Sequence, residues 1–218
     1  MINILYFSYI GCLFYSVIMA FVYRQYLKSR GLYIMIPYLS LVFLMEVYLK
    51  WHPYIWPLKS TVIVYNFYRP LSVLFFACIY YSVPVMQRFK KVIIGIVAVY
   101  LFVTVLTHIF STPISEPNIY LILARGFCNT LFAIFFLFSY FHLDNAALER
   151  HWRPLIWVTI GVVTFYPVIS ISLGFHEYLR DLDATFFDLK LYQAIPQLMS
   201  LIMYSCFSYA FYLCKKTN

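Results

Sequence analysis

The sequence predicts an all-α integral membrane protein: a single bundle of seven transmembrane helices, with the amino terminus outside and the carboxyl terminus in the cytoplasm. Three observations carry this expectation. Hydrophobic residues make up 64% of the 218 positions and charged residues only 11%, where soluble domains carry about a quarter charged. The apolar residues fall into seven runs close to the roughly 20 residues that a helix needs to cross hydrocarbon. Lys and Arg are also spread unevenly over alternate loops.

Within a bilayer only helices and closed barrels satisfy the backbone, and these runs read as helices over 3–23, 32–50, 60–82, 91–110, 119–141, 155–174 and 190–213. The first lacks a basic residue ahead of it and a small-residue cleavage motif behind it, so it is expected to stay as a span. Turn-forming residues separate the runs: Lys28-Ser29-Arg30-Gly31, His52-Pro53 and on to Pro57, 84–91, Ser111-Thr112-Pro113 and on to Pro117, 143–154 and 175–190. No linker is long enough to divide the chain into domains.

Orientation follows from the loops. One set carries Arg24, Lys28, Arg30, Arg88, Lys90, Lys91, Arg150, Arg153, Lys215 and Lys216, and the other Lys50, Lys59, Arg180 and Lys190. The richer set is expected on the cytoplasmic side. The net charge of +8 therefore reflects topology and does not point to direct nucleic-acid binding. The last outer loop, 176–188, is net acidic and long enough for a short lid helix. The 22 Tyr, 22 Phe and 4 Trp are assigned to helix packing and interfacial anchoring. Cys12, Cys78, Cys128, Cys206 and Cys214 lie in or at the ends of apolar runs without Cys-x-x-Cys spacing, as packed thiols do.

Two arginines remain inside apolar sequence, where a cation costs about 3 kcal/mol on insertion scales. Arg69 follows Tyr65-Asn66-Phe67-Tyr68 and precedes the helix-disturbing Pro70. At about 1.5 Å of rise per residue, Asn66 and Arg69 lie roughly 9 and 13 Å below the outer end of the third span, and Arg125 and Asn129 roughly 9 and 15 Å below that of the fifth. Arg125 and Asn129 are four apart and share a face. Glu46 lies about one turn from the outer end of the second span, Gln193 and Gln197 repeat the four-residue spacing in the seventh, and His108 ends the fourth. These residues predict an outward-opening polar pocket formed by Glu46, Asn66, Arg69, Arg125, Asn129, Gln193 and Gln197. Below it, Leu131-Phe132-Ala133-Ile134-Phe135-Phe136 and similar stretches form an apolar plug, which argues against a channel or proton relay. Buried ionisable groups usually pair, so Glu46 is expected to meet Arg69 or Arg125, leaving one cation for a small anionic ligand from the outer side.

Other chemistry lacks its residues. No Lys lies mid-span to form a Schiff base, His176-Glu177 lacks the second His of a helical zinc motif, and no Gly-rich phosphate loop or Gly-x-Ser-x-Gly elbow is found. The sequence thus predicts no enzyme, cofactor or metal site. Ile195-Pro196-Gln197-Leu198 matches the Pro-Gln dipeptide of PQ-loop transporters over two residues, with no counterpart in the first half of the chain.

The third span, Val64-Tyr65-Asn66-Phe67-Tyr68-Arg69-Pro70-Leu71, and the sixth, beginning Arg153-Pro154-Leu155-Ile156-Trp157-Val158-Thr159-Ile160-Gly161, resemble small uncharacterised seven-span membrane proteins of Bacteroidetes. Those proteins share an Asn-initiated aromatic third span and a Pro-Leu-x-Trp-Ile-x-x-Gly-like sixth. Arg69-Pro70 departs from the acidic or apolar pair expected there. The resemblance implies a multi-pass protein of the bacterial inner membrane, and the encoding of some such proteins beside sensor histidine kinases implies a cytoplasmic kinase partner. The expected function is receptor-like or regulatory. The alternatives are a membrane accessory or effector of a bacterial defence (CRISPR-type) system, partnered with a nuclease, and a small-solute transporter.

Overall fold

The computed structural model describes residues 4–55, 61–143, 146–181, 185–186 and 189–216. Lys59, Asp144, Leu182, Asp183 and Asp188 of the expected loops lie outside the described residues, as do Met1 to Asn3 and residue 60. The elements in order are α1 (Ile4–Val22), α2 (Arg24–Ser29), α3 (Met35–Ile55), α4 (Val62–Ser82), a 3-10 turn (Pro84–Phe89), α5 (Lys90–Phe110), α6 (Ile119–Phe141), α7 (Ala146–Gly174), α8 (His176–Asp181), β1 (Thr185–Phe186), β2 (Leu189–Lys190) and α9 (Leu191–Lys216).

Among the described residues, six helical segments are long and apolar enough to cross a membrane: Ile4–Val22, Val62–Ser82, Pro84–Phe110, Ile119–Phe141, Leu148–Gly174 and Leu191–Lys216. The chain is an all-α, multi-pass membrane protein. The remaining long helix, α3, has 21 residues and carries Glu46 and Lys50 in its second half.

Contacts fix the helix directions. Tyr9 meets Glu46 and Phe14 meets Phe43, so α1 and α3 run antiparallel. Tyr38 packs on Tyr68 and Phe76, which sets α3 against α4. Arg125 lies over Tyr68 and Phe136 beside Tyr80, so α4 and α6 run parallel. Gly126 faces Ser170, and Gly161 faces Cys206, making α7 antiparallel to both α6 and α9. Ser16 binds the Tyr204 carbonyl at 2.8 Å and the Ser208 hydroxyl at 2.7 Å, joining α1 to α9 through hydrogen bonds of the kind that hold helices together in lipid.

Helix α7 packs between α6 and α9. Phe76, Tyr80, Phe132, Phe136, Tyr166, Phe207 and Phe211 are almost wholly buried around it, and the T-shaped pair of Phe76 and Tyr166, centroids 5.7 Å apart, has the geometry aromatic quadrupoles favour. Helix α5 is peripheral, exposing Val99, Phe102, Val105 and Ile109 as a lipid-facing helix does.

Two expected boundaries move. Helix α3 continues to Ile55, past position 50, and α7 begins at Ala146, well before position 155. At about 1.5 Å per residue the 29 residues of α7 span about 43 Å, longer than the roughly 30 Å of hydrocarbon. Pro154 does not stop it. Arg30 donates from Nη1 to the carbonyls of Arg150, at 3.5 Å, and His151, and the Arg150 carbonyl is the one that the missing N–H of Pro154 leaves open. Gly31, beside that arginine, takes φ +68°, a left-handed conformation that suits glycine. The expected lid comprises α8 and a two-stranded antiparallel ribbon pairing Thr185 with Lys190 and Phe186 with Leu189.

Candidate functional site

The site begins on α4. Pro70 cannot donate to the Asn66 carbonyl, and Asn66 and Arg69, one turn apart, are both buried. Arg69 donates from Nη1 to Oδ1 of Asn66. The Nδ2 of Asn66 donates to the carbonyls of Ile114, at 2.7 Å, and Glu116, at 3.0 Å. Those carbonyls belong to the α5–α6 connection, which is itself tied: His108 Nδ1 lies 3.1 Å from the Thr112 carbonyl, Asn118 Nδ2 donates to the Thr112 hydroxyl at 3.0 Å, and Asn118 Oδ1 caps α6 at the Leu121 amide. One amide therefore holds a buried guanidinium and fastens a loop over the end of the bundle where α1, α4, α6 and α9 begin.

Helix α6 supplies Arg125 and Asn129. The Arg125 guanidinium lies 5.8 Å from the Tyr68 ring centroid and 5.5 Å from that of Tyr166, within cation–π range of both. Its Nε is buried without a hydrogen-bond partner. Asn129 has no exposed surface, and both its amide nitrogen and its amide oxygen lack hydrogen-bond partners. The Tyr166 phenol stands against Tyr38, Ser72 and this amide. Arg69 and Arg125 lie within electrostatic reach of each other and of Tyr100, whose hydroxyl is also buried and unpartnered.

Glu46 belongs to the same end of the bundle, with different partners from those expected. It accepts a hydrogen bond from the Tyr9 hydroxyl at 3.0 Å, while Arg69 is held by Asn66 and Arg125 by two rings. Among the described residues neither arginine is ion-paired with Glu46. Phenols stand near both the acid and the bases. Tyr65 lies within electrostatic reach of Glu46, Arg69 and Arg125, and Tyr68 within that of Glu46 and Arg125. The Tyr68 hydroxyl makes a 2.8 Å hydrogen bond with that of Tyr38, and Tyr204 approaches Tyr9, Glu46, Tyr68 and Tyr166.

The structure thus brings Asn66, Arg69, Arg125 and Asn129 together and sets Glu46 at the same end, with Tyr65 and Tyr68 near both acid and bases. Gln193 is exposed, its Nε2 3.5 Å from the Tyr192 hydroxyl, at the rim. Gln197 has a buried, unpartnered Oε1 and is seven residues, two helical turns, from Tyr204 on the same face of α9. The tyrosines are the site residues that composition assigned to packing. Their signal is position: Tyr166 and Tyr204 lie well inside α7 and α9 and are buried, whereas interfacial anchors sit at span ends.

Chemically this is a cationic, poorly solvated site with hydrogen-bonding capacity left over. Two guanidiniums near each other repel, and low dielectric strengthens that repulsion. An anion accepting from both would remove it and form charge-assisted hydrogen bonds. Comparison with protein-family models, with curated proteins and with solved structures finds no match to this chain.

Proposed function

We propose that the chain is a receptor-like or regulatory protein of the bacterial inner membrane, with affinity to the Bacteroidetes proteins it resembles, that binds a small anion from the outer side and passes a helix shift to a cytoplasmic partner. In this reading α3 completes a set of seven spans, the amino terminus is outside, and Arg24, Lys28, Arg30, Arg88, Lys90, Lys91, Arg150, Arg153, Lys215 and Lys216 face the cytoplasm. The observation that carries it is the pair Arg69 and Arg125, which lie within mutual electrostatic reach, one held by a neutral amide and the other by two aromatic rings. Buried cations without a carboxylate partner are unfavourable in a folded protein unless a ligand completes them. Asn66 supports the regulatory half of the proposal, because it links Arg69 to the α5–α6 loop. An anion that draws Arg69 away alters the contacts of that loop, and α5 and α6 lead to the opposite end of the bundle, where Arg88, Lys90 and Lys91 lie. A sensor histidine kinase is the partner this reading favours.

The test is thermal unfolding of the detergent-purified protein, followed by tryptophan fluorescence, with inorganic phosphate replacing chloride at constant ionic strength. Phosphate is expected to raise the midpoint in the wild type and leave Arg125→Gln unmoved; saturation at a hundred times Kd corresponds to about 2.7 kcal/mol. Equal shifts in both proteins, or none in either, would refute anion binding at this site.

A further inference from the structure

The two arginines and Glu46 lie at the same end of the bundle, with Tyr65 within reach of all three, but do not neutralise each other. Glu46 takes the Tyr9 hydroxyl, Arg69 the Asn66 amide, and Arg125 the faces of Tyr68 and Tyr166. Phenols of α4 lie within reach of both signs of charge. A simple monoanion at the arginines would answer only one end, leaving a half-buried carboxylate with one neutral donor and adding a second negative charge to its surroundings, which is unfavourable in low dielectric.

We infer that the ligand of this site is a zwitterion, its anionic group held by Arg69, Arg125 and the open amide of Asn129, and its ammonium by Glu46 among the tyrosines. This rests on the anion-binding reading above and narrows it. Asn129 supplies an independent mark of a ligand, since it is fully buried and, with the Tyr166 phenol standing beside it, its amide nitrogen and oxygen still lack a partner in hydrogen-bond geometry, and such groups ordinarily find one. The aromatic lining fits the cationic end, because ring faces attract alkylammonium groups. Charge balance narrows the class further. Two guanidiniums and one carboxylate leave a single net positive charge, which a phosphomonoester dianion bearing one ammonium cancels. The headgroup of phosphatidylethanolamine presents the same two groups in a lipid, with a phosphodiester in place of the monoester.

The experiment compares ligands that differ only in the amine. Wild-type protein in nanodiscs of phosphatidylglycerol is titrated calorimetrically with phosphoethanolamine and 3-aminopropyl phosphate against ethyl and propyl phosphate. At least one aminophosphate is expected to bind roughly tenfold or more tightly than its amine-free counterpart, a ratio that corresponds to one full pairing of charge. Glu46→Gln is expected to abolish that advantage while leaving alkyl phosphate affinity in place. Native mass spectrometry of protein from mixed bilayers separates the two sources: selective retention of phosphatidylethanolamine over phosphatidylglycerol, lost in Glu46→Gln, assigns the site to the lipid headgroup, and retention of neither with tight phosphoethanolamine binding assigns it to a free zwitterion. If alkyl phosphates bind as well as aminophosphates and phosphatidylethanolamine is not retained, the zwitterion is refuted and the anion site stands. If no phosphate binds and neither lipid is retained, the anion site is refuted and the zwitterion with it. The comparison of ligands on the wild type decides the matter even where Glu46→Gln fails to fold.

Discussion

Asn66 donates to the carbonyl of Ile114 across 2.7 Å while its own amide oxygen accepts from Arg69. A single side chain thereby couples the charged interior of α4 to the loop above it. Asn66→Leu removes the acceptor and both loop bonds, and is expected to lower unfolding stability by about 1–3 kcal/mol, the usual result of orphaning buried polar partners. Asn66→Asp separates the two roles. The carboxylate keeps and strengthens the bond to Arg69 but has no N–H for Ile114 or Glu116. It is expected to fold in detergent with a smaller loss than the Leu variant and to lose phosphate-dependent stabilisation, because Arg69 is then neutralised internally. Thermal melts with and without phosphate check both halves.

Asn129 offers a test in which stability and binding move in opposite directions. A buried amide with no partner is a net expense to the fold, so Asn129→Leu, of similar volume, is expected to leave ligand-free stability unchanged or raised. If the amide is held open for a ligand, the same change weakens phosphate binding by about tenfold, the loss expected from one hydrogen bond to an anion. A variant that melts lower and binds unchanged would make Asn129 an ordinary core residue.

That these residues share one end of the bundle follows from the sequence, and their lateral arrangement does not. Counting along an alternating set of spans puts Asn66, Arg69, Arg125 and Asn129 at one level, because rise per residue is fixed in a helix, and the structure brings these four together. Counting says nothing of which helices adjoin. Glu46 lies at that end too, and Tyr9 of α1 reaches it where an arginine was expected. Helix ends were misplaced for a related reason: hydropathy marks where a helix meets lipid, and α7 carries Glu149, Arg150 and Arg153 on a helical extension that water can solvate. The tyrosines escaped notice because an aromatic in an apolar run has the same composition whether it packs, anchors or lines a chamber.

Arg30 tests how the opposite end is held. It is 3% exposed, burial pulls its pKa below the ordinary range, and it serves the carbonyls of Arg150 and His151. Arg30→Met is expected to cost about 1.5–3 kcal/mol, the range for hydrogen bonds to charged groups. Pro154→Ala restores an N–H for the Arg150 carbonyl, so the double variant is expected to lose less than Arg30→Met alone, and a double-mutant cycle in chemical unfolding measures the difference. Strict additivity would mean that the freed carbonyl is not what the arginine serves.

Gly126 is where the site and the packing meet. A Cβ built there would stand 1.9 Å from the Ser170 hydroxyl, 3.3 Å from the Ser170 Cβ and 3.4 Å from the Tyr166 carbonyl. The hydroxyl can rotate away. The contact with the Ser170 Cβ needs the helices to give by a few tenths of an ångström, so Gly126→Ala is expected to cost about 1 kcal/mol, the low end for overpacking. Because Gly126 adjoins Arg125, the same displacement draws the guanidinium from the Tyr166 ring, and phosphate affinity is expected to fall with stability. Gly126→Ala combined with Ser170→Gly removes the two closest contacts, restoring room between α6 and α7. Recovery of phosphate affinity in that double variant would show that the spacing of α6 and α7 positions Arg125. Recovery of stability alone would show that the guanidinium is held by Tyr68 without help from α7.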